Sequence, residues 1–145
     1  MTTLKHSIEI RASPEKVFSW LMNLDKNYRK WHPDHIKWVN EEGSLSEGKT
    51  AYYEEYIHGK PHKIRARITK LEKNRLIEFK NMFPMSLICP KGSFVIEPKG
   101  KNTLFTATLS FRGGRLLSGL MKSRLEAIKS HMREEGENLK RILEK

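Results

Sequence analysis

The sequence predicts an α+β fold in which a curved seven-stranded antiparallel sheet wraps around one long C-terminal helix, with two short helices after the first strand. Three observations predict it: a helix start that follows an alternating N-terminal strand, a run of six β-patterns separated by turn residues, and a helical hydrophobic period from about residue 115 to 144. A strongly bent sheet cannot press flat on a rod, so we expect a cavity between sheet and helix.

The first strand and the first helix are predicted from alternation and capping. Residues 3–11 alternate as a strand does. In the next stretch, "ASPEKVFSWLM", Ser13 is a good N-cap, Pro14 suits the first helical position and Glu15 suits the positive end of the helix. The buried side of this helix is predicted to consist of Val17, Phe18 and Leu21.

A second short helix or turn is predicted over residues 25–31. Pro33 ends it, because a proline disfavours helical geometry in the residue before it. Residues 35–40 then form a strand, and the polar stretch "EEGSLSEG" forms a loop.

Five further β-patterns complete the sheet. The first two meet at "HGKP" and the last two at "KGKN", so each of these pairs is predicted to form a hairpin. The five patterns cover residues 49–57, 62–71, 75–82, 93–98 and 103–111.

The hairpin at "HGKP" decides which acidic residue faces the cavity. With Gly59 and Lys60 at the centre of a two-residue turn, Glu55 and Tyr53 face inward and Glu54 faces out. A register slip of one residue would exchange the two glutamates, so Glu54 stays open as an alternative. This arrangement pairs Glu55 with Ile64 and Tyr53 with Ala66, on an inward face that consists of Ile64, Ala66 and Ile68.

The long helix is predicted from about 115 to 144 by steps of three and four between apolar residues. Arg124 interrupts this stripe and is placed at the rim of the cavity, with Ile128 inside it. The stripe consists of Leu117, Met121, Ile128, Leu139 and Ile142.

Length and composition limit the classes of function. Residues 1–145 are predicted to form a single domain with a real core. The alternating N-terminus does not resemble a leader, no apolar run is long enough to span a bilayer, and Cys89 is the only cysteine, so we expect a cytoplasmic protein without disulfides. The formal charge of +11 favours anionic partners, but the basic residues are spread out, so we expect neither specific nucleic-acid binding nor a membrane partner.

The stretch "IEIRASPEKVFSWLMNLDKNYRKWHPD" resembles the opening of the SRPBCC superfamily, which includes START and birch-pollen-allergen-like proteins and polyketide cyclases. The resemblance covers essentially the whole chain, and it implies the helix-grip fold. It does not identify a function, because members include lipid carriers, polyketide cyclases, chaperone activators and hydrolases.

A narrower resemblance is to the zinc-dependent hydrolases that cleave carbon–carbon bonds in acylated phenols, namely diacetylphloroglucinol hydrolase and phloretin hydrolase. These enzymes are much longer than this chain. They hold their metal with a histidine near the second strand, a glutamate from the sheet, and a histidine and a glutamate one turn apart on the last helix. The matching positions are His32 or His35, Glu54 or Glu55, and His131 with Glu135.

The residues themselves are compatible with this set. His131 and Glu135 are four residues apart, so both can reach one ion from one helix face. The alternative for the helix is an ion pair between Glu135 and an inward Arg or Lys. In "WHPDH", His35 is preferred over His32 because it enters the second strand, and Asp34 can accept a hydrogen bond from an imidazole.

Other residues of these stretches receive more general roles. Trp31 and Trp38 are expected to pack around the cavity entrance. Tyr28, Tyr53 or Tyr56 can donate a proton to a ligand or hold a phenolic oxygen. His58 and His62, beside the turn, are expected on the surface.

Two functions from different classes follow. In the first, the cavity carries a divalent metal site, with zinc as the expected cofactor and Mn²⁺, Fe²⁺ or Ni²⁺ as alternatives, and the protein is a metal-dependent hydrolase of an aromatic or polyketide-like ketone. In the second, it is a non-enzymatic carrier of a hydrophobic ligand such as a lipid or polyketide. Both imply a hydrophobic or aromatic small molecule as partner, and neither predicts an oligomeric state.

Overall fold

The computed structural model describes residues 1–112 and 119–145, and these form the predicted sheet and helices. Seven antiparallel strands form one sheet in the order β1-β7-β6-β5-β4-β3-β2. The helix-grip prediction is therefore confirmed. The elements are β1 (Thr2–Ile10), α1 (Pro14–Met22), α2 (Leu24–Trp31), β2 (His35–Asn40), β3 (Thr50–Ile57), β4 (Lys60–Glu72), β5 (Leu76–Asn81), β6 (Lys91–Lys99), β7 (Asn102–Phe111) and α3 (Gly119–Leu143), with a 3₁₀ turn at Met85–Leu87 between β5 and β6.

The start of α1 follows the predicted capping pattern. The Ser13 side chain accepts a hydrogen bond from the Lys16 backbone N–H at 3.2 Å, and Pro14 is the first helical residue. Asn23 alone separates α1 from α2. The Asn27 side chain donates to the Trp20 carbonyl at 3.0 Å, which ties the two short helices together. The residues that α1 buries are Val17, Phe18 and Leu21, as predicted.

The turn between β3 and β4 corrects one prediction. It is centred on His58 and Gly59, whose φ angles of 52° and 79° suit a two-residue hairpin turn with glycine in second place. The prediction placed the turn one residue later, which displaced the strand pairing by two positions. A displacement of two preserves the faces, so Tyr53 and Glu55 still point inward.

The buried face of α3 also differs in part from the prediction. Ile142 is only half-buried and Leu143 is buried instead, because the stripe steps by four residues after Leu139. Leu117, the Met121 side chain and the helix start near 115 lie outside the described residues. The inward side of α3 consists of Leu125, Ile128, Met132, Gly136, Leu139 and Leu143.

The C-terminal half of α3 is held by polar contacts as well as by packing. The Lys140 ammonium donates to the Glu9 carbonyl at 3.1 Å, and the Lys16 ammonium donates to the Leu143 carbonyl at 3.0 Å. Gly136 lies so close to β1 that a Cβ there would be 3.0 Å from the His6 ring. This end of the helix is therefore joined to both β1 and α1.

No helix of the described ranges is long and apolar enough to cross a membrane.

Gly92 in β6 allows the sheet to pack tightly at one point. It lies between Phe79 and Leu109, and a Cβ at Gly92 would be 2.6 Å from the Phe79 ring and 2.7 Å from a Leu109 methyl group. We expect Gly92→Ala to lower the free energy of unfolding by about 1–3 kcal/mol, as overpacked core positions do. Urea denaturation measures this, with Ser93→Ala as the neighbouring control. A loss under about 0.5 kcal/mol would contradict the prediction.

Candidate functional site

A β-bulge in β2 decides which of its side chains face the inside of the sheet. The pairing with β3 shifts between His35 and Lys37, so His35 lies opposite Glu55 and Trp38 lies opposite Tyr53. Residues two apart on β3 face the same side. The bulge therefore brings His35 and Trp38, which are three residues apart, onto one inward face.

Four side chains from β2, β3 and α3 converge beside the cavity, and we call them the four-residue cluster: His35, Glu55, His131 and Glu135. Glu55, His131 and Glu135 line the cavity, whereas the His35 side chain is fully buried behind them. The Glu135 Oε2 atom lies 2.8 Å from His35 Nε2 and 3.2 Å from His131 Nε2. The Glu55 Oε2 atom lies 3.7 Å from His35 Nε2 and 3.8 Å from His131 Nε2. The structure thus brings together one candidate for each of the four predicted ligand positions.

The orientation of His35 is set by Tyr28. Its Nδ1 atom lies 2.8 Å from the Tyr28 backbone carbonyl, which can only accept, so Nδ1 carries the proton. The two rings are also stacked, with centroids 3.8 Å apart. Nε2 therefore points at Glu135 as a lone pair unless it too is protonated. A cation, either a proton or a metal ion, is needed between this nitrogen and the carboxylate.

The alternative ligand His32 lies beside the cluster, with its ring centroid 4.1 Å from that of His131. Both of its nitrogens have partners: Nδ1 accepts from the Asp34 backbone N–H at 2.9 Å, and Nε2 donates to Glu134 at 2.8 Å. A second close group of metal-binding residue types consists of His32, Asp34 and His131. The two hydrogen bonds of His32 use both of its ring nitrogens, so neither is free to bind a metal ion. Asp34 Oδ2 lies 3.5 Å from His131 Nδ1, so this carboxylate faces the ligand on α3 rather than His35.

The two glutamates of β3 are separated by the pleat of the strand. Glu54 accepts a hydrogen bond from the Tyr52 hydroxyl at 2.7 Å, and both residues belong to the opposite face from Glu55. Glu55 accepts from the Tyr28 hydroxyl at 3.0 Å. The structure places Glu55 in the cluster and Glu54 outside it.

Of the three tyrosines considered as proton donors, Tyr28 and Tyr53, the two preferred for catalysis, both donate hydrogen bonds within the protein. Burial first, and the charge of Glu55 second, raise the pKa of Tyr28 and of Tyr53 well above their usual value, so both stay protonated. Tyr28 donates to Glu55, whereas Tyr53 donates to the Asn81 side chain at 2.9 Å. Tyr28 is therefore part of the surroundings of the cluster, and Tyr53 belongs to a separate pair.

The cluster opens onto a cavity of about 490 Å³ between the sheet and α3. Trp31, Trp38, Arg124 and Ile128 all line it, although Trp31 is buried inside rather than placed at an entrance. His62 also lines the cavity, because it lies in phase with the inward residues of β4, and this corrects its expected surface position. Most of the wall is apolar and includes Leu21, Leu24, Ile64, Ile68, Phe79, Phe94 and Met132.

Residues 1–144 match the family model described as "Polyketide cyclase / dehydrase and lipid transport". The chain belongs to this family. Solved structures agree with this polyketide cyclase/dehydrase and lipid-transport fold. Ara h 8.0201 has a TM-score of 0.73 and 16% identity, with 98% of this chain and 97% of that chain covered. No curated protein matches the sequence closely enough to count as a relative.

Two further solved structures have the same fold. A START superfamily protein from Mycobacterium smegmatis has a TM-score of 0.75 and 17% identity, covering 98% of this chain and 97% of that one. The Aha1 dimer from Colwellia psychrerythraea has a TM-score of 0.70 and 23% identity, covering 99% and 97%. This member of the polyketide cyclase/dehydrase and lipid-transport family thus shares its fold with all three structures.

Residues of the cluster lie close enough together to hold a metal ion. Donor atoms on a tetrahedral zinc ion, with bonds of about 2.0–2.1 Å, lie about 3.4 Å from one another. The four distances between nitrogen and oxygen here run from 2.8 Å to 3.8 Å, on both sides of that value. His35, Glu55 and His131 each offer a ligand atom within 4.8 Å of the other two, so these three residues could hold an ion, and Glu135 contacts both histidines.

Without a metal, the same groups form a charged network. Burial disfavours protonated His131, but the hydrogen bond to Glu135 and the charges of Glu135, Glu55 and Asp34 outweigh it and raise its pKa to about 9. Burial likewise disfavours charged Glu135, but His131 and His35 outweigh it and lower its pKa to about 2. Burial raises the pKa of Glu55. The metal-free cluster thus holds a proton where the metal-bound one would hold an ion.

We expect the stability of the metal-free protein to depend on pH in both directions. His131, with its pKa raised from 6.5 to about 9, stabilises the fold fully below pH 6.5, and this contribution is lost as the pH rises through 9. Glu135, with its pKa lowered from 4.5 to about 2, stabilises above pH 4.5 and loses this contribution as the pH falls towards 2.

The expected loss from pH 6.5 to above pH 9 is about 2–3 kcal/mol, since one pKa unit corresponds to about 1.4 kcal/mol. Urea denaturation with excess chelator measures it, and His131→Gln should flatten the alkaline side. A wild-type stability that stays constant from pH 6 to 10 would contradict the prediction.

Three contributors to the site were missed from sequence. The Trp31 indole donates to the Glu135 carbonyl at 2.9 Å, and the Asn138 side chain donates to the Trp31 carbonyl at 2.9 Å, so α2 and α3 are clamped beside the cluster. Glu134 holds His32. Asn81, the partner of Tyr53, follows Ile77 and Phe79 at inward positions of β5, and a polar residue in that phase is the signal that could have found it.

Proposed function

We propose that the protein binds a divalent transition metal, zinc in the first instance, at the four-residue cluster and acts as a hydrolase on a hydrophobic ketone held in the cavity. The observation that supports this most strongly is the convergence of two imidazoles and two carboxylates on one point. Two neutral histidines and two negative carboxylates balance the charge of a divalent ion. A set of imidazoles and carboxylates without thiolates suits zinc, and Mn²⁺, Fe²⁺ and Ni²⁺ compete for it.

The surrounding residues are arranged to support that chemistry. The Tyr28 carbonyl keeps the proton of His35 on Nδ1, which leaves Nε2 free to bind an ion. A zinc ion at this place would polarise a ketone carbonyl and lower the pKa of a water molecule. Glu55 would offer the ion a charged carboxylate, and the Tyr28 hydroxyl donates to its Oε2 atom at 3.0 Å, which fixes the orientation of this side chain.

The cavity wall determines the kind of substrate. The apolar side chains exclude water and favour an aromatic or polyketide-like body, with its ketone turned towards the cluster. In the proposed reaction an aryl ketone and one water give an arene and a carboxylic acid, because the carbon–carbon bond between ring and acyl group breaks and the ring carbon gains a proton.

The metal content of the purified protein tests the first half of the proposal. The wild type, purified without a nickel column and without chelator, should contain close to one equivalent of a divalent transition metal by elemental analysis. Less than about a tenth of an equivalent would overturn the metal proposal. Release of a carboxylic acid from an acylated phenol, detected by chromatography, tests the reaction, with His131→Ala as the inactive control.

A second function, the carriage of a hydrophobic ligand without a reaction, is favoured by the cavity itself. Its volume of about 490 Å³ lies within the range of small-molecule sites. Extraction of the purified protein should then yield a co-purifying lipid, and a fluorescent fatty acid should bind and be displaced. Failure of both experiments would count against this function.

A further inference from the structure

The cavity has acidic groups at one end and basic groups at the other. The cluster end carries Glu55 and Glu135, with Asp34 and Glu134 close by. The other end is formed by the β3–β4 turn and the first described turns of α3. There the lining residues His58, Gly59 and Lys60 are exposed, so this end is open to solvent.

Arg124 is the central cation of the open end. It is half-buried on α3 and lines the cavity. Lys60, at the start of β4, lines the cavity as well. Burial, then the positive charges of Arg124 and Lys60, lower the pKa of His62, so both cations lie near this histidine. Within residues 1–112 and 119–145, no carboxylate lies within ion-pair distance of Arg124 or Lys60.

The helix fixes the distance between the two ends. Arg124 precedes His131 by seven residues, which is close to two full turns, so both side chains project from nearly the same face of α3. At about 1.5 Å per residue, the two positions are about 10 Å apart along the axis. Ile128 lies between them and lines the apolar part of the cavity.

We propose that the ligand of this cavity is an amphipathic carboxylate, whose apolar body lies along Ile128 and whose acid group is bound by Arg124 and Lys60 at the open end. A planar guanidinium can bind a carboxylate with two parallel hydrogen bonds, and a half-buried one does so with less screening than a surface lysine. If the ligand also carries the proposed ketone, the acid lies about 10 Å from it. The proposal rests on the cavity being the ligand site, and it does not require the metal.

A matched pair of probes tests the proposal: a pyrene-labelled fatty acid and its methyl ester, titrated against the protein as purified and again with excess chelator. Wild type should bind the acid at least about 10-fold more tightly than the ester, because charge-assisted hydrogen bonds contribute about that much. Arg124→Gln should weaken binding of the acid about 10-fold and leave the ester within about 2-fold.

Lys129→Gln is the matched control, since it removes one positive charge from an exposed position of the same helix that does not line the cavity. It should leave both affinities unchanged, and Arg124→Lys should keep part of the preference for the acid. Equal weakening of acid and ester by Arg124→Gln would overturn the proposal, and so would an equal loss for Lys129→Gln.

The result also separates this proposal from the proposed hydrolase. A wild type without metal that still prefers the acid through Arg124 would overturn only the metal function. A wild type that holds metal and binds both probes equally would overturn only the carboxylate site. A wild type that binds neither probe would overturn the carboxylate site, and the metal analysis would then decide on the hydrolase independently.

Discussion

His131→Ala should leave the protein folded and unable to retain the proposed metal ion. Its side chain is 18% exposed and lies at the cavity wall, so its loss leaves no sealed void in the core. Glu135 keeps its hydrogen bond to His35 at 2.8 Å, so the carboxylate is not left alone. Removing one of four ligands should weaken metal binding by more than about 100-fold, since loss of a mere supporting group costs about 10–100-fold.

Elemental analysis and competition with a chromogenic chelator measure this effect, and circular dichroism checks the fold. His58→Ala is the matched control, because His58 is an exposed histidine that lines the cavity but lies outside the cluster. Glu135→Ala should behave as His131→Ala does. Wild-type metal content in His131→Ala, or an equal loss in His58→Ala, would show that the ion is held elsewhere.

Ala66→Trp should abolish binding of a hydrophobic ligand in the cavity while leaving the proposed metal ion in place. Ala66 is buried in β4, lines the cavity and lies opposite Ala51, so a large ring there has only the cavity to occupy. The cavity is about 490 Å³, and an indole fills a large part of the space that a ligand of this size class needs. We expect the affinity for a fluorescent fatty acid to fall by more than about 100-fold, because steric exclusion removes the apolar contact area as a whole.

Lys63→Trp is the control for this variant, since it adds the same ring to the outward face of the same strand. It should bind the probe as wild type does. His131→Ala and Ala66→Trp then separate the two functions. His131→Ala should lose the metal and still bind the apolar probe, whereas Ala66→Trp should keep the metal and no longer bind the probe. Unchanged probe binding in Ala66→Trp would mean that the ligand lies outside the cavity.

The elements and the inward position of Glu55 could be predicted because they depend on local patterns. The alternation of Ile64, Ala66 and Ile68 fixes the faces of β4, and a turn placed one residue late displaces the strand pairing by two positions and leaves those faces unchanged. Ser13 and Pro14 mark the start of α1 through contacts within one helical turn.

The choice between His32 and His35 could not be decided in this way. It depends on the bulge after His35, which follows from how β2 meets β3, and on the hydrogen bond from His32 to Glu134 about a hundred residues later. The pairing of Trp31 with Asn138 is of the same kind. Such contacts join segments that carry no common period, so a pattern in one of them says nothing about the other.

The anchoring of α3 has a mechanical consequence. Among the described residues, the hydrogen bonds from α3 to other elements all start at residue 131 or later, through Glu135, Asn138 and Lys140 above all. The half that bears Arg124 is held to the sheet by apolar packing of Leu125 and Ile128. Among the described residues, moving residues 122–130 of α3 away from the sheet would separate apolar surfaces and break no hydrogen bond to another element, so this end of the cavity can widen for a larger ligand while the four-residue cluster keeps its spacing.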